Sequence, residues 1–306
     1  MSFFQRLTTT QPTGEEVKQF FLHQGELPTF PAVALEFMEL ANDPYASVMS
    51  MASIVERDPA LAAKTLKLSN SAYIGYARQV STIREAIVLL GLREMRALVL
   101  TISVFRAFGQ LQKALPPAWE QFWLHSLAIA QTARRLAKQL RIKEAEQAYL
   151  AGLLHDIGKL LYYLYDSDRY TAALDLQIHT GESLLEIEKK TFGNTHPELG
   201  CWLLELWNFP QPLSEAVLWH ETPELAPRGS SLVGLTALAE LIVKAQGIGI
   251  GEALPVDPAV LESSNAWQLV ADSYPSLRRL DMGGFVSELA SLNEQVASAL
   301  KDMRLV

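Results

Sequence analysis

The sequence predicts an all-α protein built as a multi-helix bundle, and three observations predict it. Apolar residues recur at three- and four-residue intervals along most of the chain. Helix starts and stops are marked by capping residues, glycines and prolines. No segment alternates apolar and polar residues over enough positions to argue for a strand.

The elements follow in order. Residues 1–26 read as a leader and a first helix. After Pro31, Val33, Phe37, Met38 and Leu40 share one helix face. Asp58 is suited to cap the next helix and Pro59 to open it, with Leu61, Leu66 and Leu68 following. Thr82 and Glu85 form a Thr-x-x-Glu capping box, and that helix ends at Gly91, a natural left-handed terminator. Further helices are expected over about 92–107, 119–140, 144–162, 167–178, 181–191, 195–206, 212–220, 232–246, 257–272 and 284–302. Punctuation divides the chain into helical parts at 27–115 and 116–251, with Pro116-Pro117 between them and a C-terminal extension over 252–306.

Composition narrows the function classes. With 34 acidic and 26 basic residues the net charge is -8, which lacks the field that draws proteins onto nucleic acid or anionic membrane. The single Cys201 excludes a disulfide framework within the chain and fits a reducing compartment. The apolar run Ala97 to Phe105 is far short of the roughly 20 residues a membrane span needs. The first residues lack the apolar core of a signal peptide, so a cytoplasmic protein is expected. No phosphate-binding glycine loop and no serine or cysteine nucleophile signature is present.

Chemistry concentrates in four of the six histidines: His125, His155, His196 and His220. His155 and Asp156 close the apolar run Ala151-Gly-Leu-Leu, just before Gly158 and Lys159. His125 sits among Trp123, Leu124, Leu127 and Ile129, and His220 ends Ala216-Val-Leu-Trp219. His196 lies in the first turn of a helix that Thr195 and Glu198 can cap. Glu240 interrupts an apolar helix and needs a partner there, unless it faces solvent. Singly, each histidine is most often a satisfied core residue, and Lys159 merely complements a helix end. Together they suggest a mixed nitrogen and oxygen ligand set, suited to Fe, Mn or Zn.

Several stretches in this order resemble the HDOD family of bacterial signalling output domains. They are Leu27-Pro-Thr-Phe-Pro31, Glu56-Arg-Asp-Pro-Ala-Leu61, Leu68-Ser-Asn-Ser-Ala72, Ile83 to Gly91 and Ala151-Gly-Leu-Leu-His-Asp-Ile-Gly-Lys159. The resemblance implies an all-helical fold related to HD-superfamily metal-dependent phosphohydrolases, acting mostly as a regulatory module. The chain also resembles the HD-GYP phosphodiesterase branch at His125, His155, Asp156, Lys159 and His196. His220 falls within that branch's His-His-Glu, here Trp219-His220-Glu221, so one paired histidine is replaced. Glu240 falls on its final aspartate, and the Gly-Tyr-Pro motif is missing.

The resemblance therefore implies one or two divalent transition-metal ions on His125, His155, Asp156, His196, His220 and Glu240. Asp156 and Lys159 are the residues that would serve hydrolysis. Two readings follow: a signalling module that keeps a metal site and acts through a protein partner or a phosphorylated small molecule, or an active phosphohydrolase. A homodimer is compatible with either, and a third reading makes the chain an adaptor whose histidines are only structural.

Overall fold

The chain folds into helices alone across the residues that the computed structural model describes: 14–24, 27–41, 43, 45–70, 79–109, 111–114, 116–227, 230–249 and 258–302. The expected leader up to residue 13 and most of the linker, residues 250–257, lie outside them. In chain order the helices are α1 (Glu16–Gln24), α2 (Ala32–Leu40), α3 (Val48–Glu56), α4 (Pro59–Ser69), α5 (Ile83–Leu90) and α6 (Leu92–Ala107). Next come α7 (Leu111–Ala114), α8 (Pro116–Gln139), α9 (Ala145–Leu154), α10 (Ile157–Thr180), α11 (Leu184–Phe192) and α12 (His196–Leu206). The last are α13 (Gln211–Trp219), α14 (Ser231–Ala245), α15 (Pro258–Ser263), α16 (Asn265–Ser273) and α17 (Met282–Asp302). No helix among the described residues is long and apolar enough to cross a membrane.

These helices form two compact units, divided within α8. The smaller comprises Pro28–Ala128 and Leu280–Val306, the larger Met1–Leu27 and Ile129–Arg279. In the smaller unit Asp58 caps α4 by accepting the Leu61 N–H at 3.0 Å, and its carboxylate pairs with Arg106 on α6. Burial opposes the charge on Asp58, but the Arg106 hydrogen bond and the backbone donors hold its carboxyl below the usual range. Gly91 ends α5 at φ 82 and ψ 162, an extended positive-φ conformation rather than a left-handed one. That region is essentially restricted to glycine, and it joins α5 directly to α6.

Sequence periodicity missed α3. Its cap is a Ser47–Ser50 box, in which each hydroxyl serves the other's backbone, instead of the more legible Ser/Thr-x-x-Glu.

In the larger unit the helix expected over 144–162 is two helices. α9 ends at Leu154, and α10 starts at Ile157 after Asp156 leaves the helical region at φ -98 and ψ 9. α10 then continues through the segment expected over 167–178, bending at Asp166 (φ -159, ψ 89), whose Oδ1 accepts the Arg169 N–H at 3.0 Å. The Thr195–Glu198 capping box opens α12 as expected, with Glu198 Oε2 accepting the Thr195 N–H at 2.7 Å. Leu199, Leu203 and Leu204 of α12 are fully buried. Full burial of such a side chain is worth about 1.5–3 kcal/mol, which anchors the helix that begins with His196.

Candidate metal centre

Two glycines let three helices of the larger unit approach closely. A Cβ on Gly158 would lie 2.0 Å from the backbone oxygen of His196, and one on Gly200 would lie 2.7 Å from Val217 Cγ1. Such distances are open only to a residue without a side chain. The start of α10 therefore lies on the start of α12, and α12 lies on α13. This brings together His155 and Asp156 at the α9–α10 turn, His196 at the first position of α12, and His220 just beyond α13. His155, Asp156 and His196 are wholly buried, and His220, Glu240 and Lys159 nearly so.

The hydrogen bonds of the three imidazoles fix their tautomers. His155 Nδ1 lies 2.8 Å from the Gly152 oxygen and His220 Nδ1 lies 2.7 Å from the Val217 oxygen. A carbonyl oxygen only accepts, so both Nδ1 atoms carry the proton. His196 Nδ1 lies 2.8 Å from Glu188 Oε2, and an ionised carboxylate likewise only accepts. In a neutral ring each Nε2 is then left with a lone pair.

All three Nε2 atoms face one carboxylate. Asp156 Oδ2 is 3.3 Å from His155 Nε2, and Asp156 Oδ1 is 3.2 Å from His196 Nε2 and 3.6 Å from His220 Nε2. Lone pairs aimed at lone pairs repel, and a proton or a metal ion between them turns the repulsion into attraction. Among the described residues neither His196 Nε2 nor His220 Nε2 has a hydrogen-bond partner of good geometry. Ligand atoms of His155, Asp156 and His220 all lie within 4.8 Å of one another, as do those of His196, His220 and Glu221. Nδ1–H bonded to a carbonyl or a carboxylate with Nε2 turned inward is the usual arrangement behind a metal-bound histidine. The residues present therefore fit a divalent transition-metal ion, with nitrogen and oxygen donors in the same small space.

Surrounding charges reinforce this. Lys159 Nζ donates to Asp156 Oδ2 at 2.7 Å. Burial resists the charge on Asp156, yet His155 and Lys159 hold its carboxyl well below the usual range. Burial likewise resists charging Lys159, and Asp156 outweighs it, so the ammonium is stabilised. His196 is pushed up to about 9: burial works against its charge, and Glu188 more than compensates. The same field that favours a proton at His196 favours a metal cation there. Glu240 pairs with Lys244 at 3.0 Å and stays ionised despite burial.

His125 is buried on α8, in the stretch of that helix assigned to the smaller unit. Three residues of the larger unit's cluster were not among the expected ligands: Glu188, Glu221 and Lys244. Glu188 also supplies Oε2 to the His196 backbone N–H at 2.8 Å and accepts the Tyr170 hydroxyl at 3.0 Å through Oε1. Cys201 has no part in the site; burial, followed by Glu205, pushes its thiol up to about 12 and keeps it protonated.

Comparison with known proteins shows the family and the fold. A crystal structure of an HDOD domain protein from Geobacter sulfurreducens is 25% identical, with a TM-score of 0.81, covering 96% of this chain and 99% of that one. A Shewanella amazonensis SB2B protein, provisionally described as a phosphohydrolase, is also 25% identical, with a TM-score of 0.70 over 94% and 98% of the two chains. An uncharacterized protein of Treponema pallidum (strain Nichols) is 22% identical over 220 residues, and the match spans 72% of this chain but 42% of that relative. The HDOD domain family matches residues 27–223, a stretch that holds the His155–Asp156 turn, His196 and His220. On that match and the fold it shares with those structures, this chain belongs to the HDOD family.

Proposed function

We propose that this protein is a cytoplasmic regulatory module whose buried cluster holds a divalent transition-metal ion, Fe, Mn or Zn, and that it acts by binding a signalling protein or a phosphorylated small molecule. The observation that carries the metal reading is the convergence of three Nε2 lone pairs on the Asp156 carboxylate. His155, Asp156, His196, His220 and Glu240, all in the larger unit, are the ligands proposed.

Burial favours binding over turnover. Asp156 and the histidines facing it are closed off from solvent, with exposures of 2% or less. Trp219 stands where the phosphodiesterase branch has a second histidine, which leaves one ligand fewer to organise a pair of ions.

The second reading, a metal-dependent phosphohydrolase, is favoured by Lys159 and by the description of the Shewanella protein. A bound ion would polarise a phosphoryl oxygen and acidify a water. Lys159 would balance charge on the phosphate, and Asp156 would hold that ammonium in place.

Elemental analysis of tag-free protein tests the metal reading. Near-stoichiometric Fe, Mn or Zn is expected in the wild type and its loss in His155→Ala; no metal in either protein contradicts the proposal. In the same preparations, metal-dependent hydrolysis of bis(p-nitrophenyl) phosphate that Lys159→Ala abolishes would favour the second reading over the first.

A further inference from the structure

We infer that Lys244 is an internal cation standing in for a second metal ion, so that the centre holds one divalent ion per chain. The inference rests on the metal reading above and concerns how many ions the site takes.

Lys244 lies one helical turn after Glu240 on α14, which puts both on one face. Its Nζ is 3.0 Å from Glu240 Oε1 and 3.8 Å from Glu221 Oε1. The two carboxylates belong to different parts of the cluster: Glu221 offers an oxygen close to His196 and His220, and Glu240 offers one close to His155. The ammonium thus lies against both of the carboxylates on which a second ion would have to draw. Among the described residues Glu240 Oε1 receives no aligned hydrogen bond, so charge attraction is the contact that Lys244 supplies there.

Charge balance points the same way. The cluster sets four carboxylates (Asp156, Glu188, Glu221 and Glu240) against two ammonium groups, Lys159 and Lys244. With neutral imidazoles the remainder is two negative charges, which one divalent ion neutralises. A second ion would leave a net double positive charge among side chains that are mostly buried, where uncompensated charge is poorly tolerated. Lys159 cannot relieve this, because Asp156 holds it at 2.7 Å. Removing the Lys244 ammonium frees two carboxylate oxygens and makes the cluster one charge more negative.

Manganese titration of metal-stripped protein tests this, counting ions by elemental analysis after dialysis and recording the Mn2+ paramagnetic resonance spectrum. The wild type is expected to hold one Mn2+ per chain with an uncoupled signal. Lys244→Met is expected to hold two, with the broadened signal of coupled ions, whereas Lys244→Arg keeps the charge and stays at one. Two ions in the wild type overturn the inference alone, as does a single ion in Lys244→Met. Should Lys244→Met fail to fold by circular dichroism, Lys244→Gln carries the same expectation. No manganese in any of these proteins overturns the metal reading itself, and this inference with it.

Discussion

Three imidazoles in this protein are held by three unrelated acceptors: the Gly152 and Val217 carbonyls at the ends of α9 and α13, and the Glu188 side chain from α11. Each sets the same tautomer, and a chance collection of core histidines has no reason to do so. Glu188 is the one acceptor open to substitution. Glu188→Gln keeps the shape but removes the charge, and loss of such a partner typically lowers metal affinity by about 10–100-fold. Competition titration with a zinc chelator should show that fall, with the helical circular dichroism signal unchanged; unaltered affinity would remove Glu188 from the account. His155, Asp156 and His220 were legible as polar residues closing apolar runs, and His196 as a histidine in the first turn of a capped helix. Glu188 left a fainter trace, since it falls on the buried stripe of Leu184, Ile187 and Thr191. Lys244 was implicit in the demand that Glu240 find a partner, and i,i+4 spacing supplies it. Glu221 entered only as the last residue of the Trp219-His220-Glu221 match, because its approach to His196 depends on how α12 and α13 pack.

The site is set at the junctions of elements more than within them. The α9–α10 turn exists because Asp156 departs from helical geometry, while the apolar pattern runs on from Leu154 through Ile157 to Leu160 and Leu161. Periodicity cannot mark a break flanked by buried residues on both sides, which is why a single helix over 144–162 was the natural reading. The same limit joined α15 and α16, which the structure separates at Ser264, the residue that caps α16. Gly158 is where this geometry is most exposed to mutation. A methyl group there would sit 2.0 Å from the His196 backbone oxygen, so α10 and α12 must separate. Gly158→Ala is predicted to destabilise the protein by about 1–3 kcal/mol or more, as overpacking does, and to weaken metal binding in parallel by drawing Asp156 from His196. Urea denaturation and zinc titration of the variant check both parts; wild-type stability would show that the helices have slack the structure does not indicate.

At the scale of the molecule, an all-helical fold was readable because capping residues and a 3.6-residue period agree along nearly the whole chain. The Geobacter and Shewanella structures share that fold over almost their full lengths. The division within α8 was not readable, because no proline, glycine or polar run marks the Ala128–Ile129 step inside an unbroken helix. What the site adds to that fold is a set of buried ligand atoms already oriented for a cation. Long-range proton–nitrogen NMR of 15N-histidine-labelled protein, recorded with and without Zn2+, tests that claim most directly. His155, His196 and His220 should keep a protonated Nδ1 throughout, and on adding zinc their Nε2 resonances should move together to the shifts of metal-bound imidazole. Nε2 resonances indifferent to zinc, or rings protonated at Nε2 with a bare Nδ1, would contradict the account.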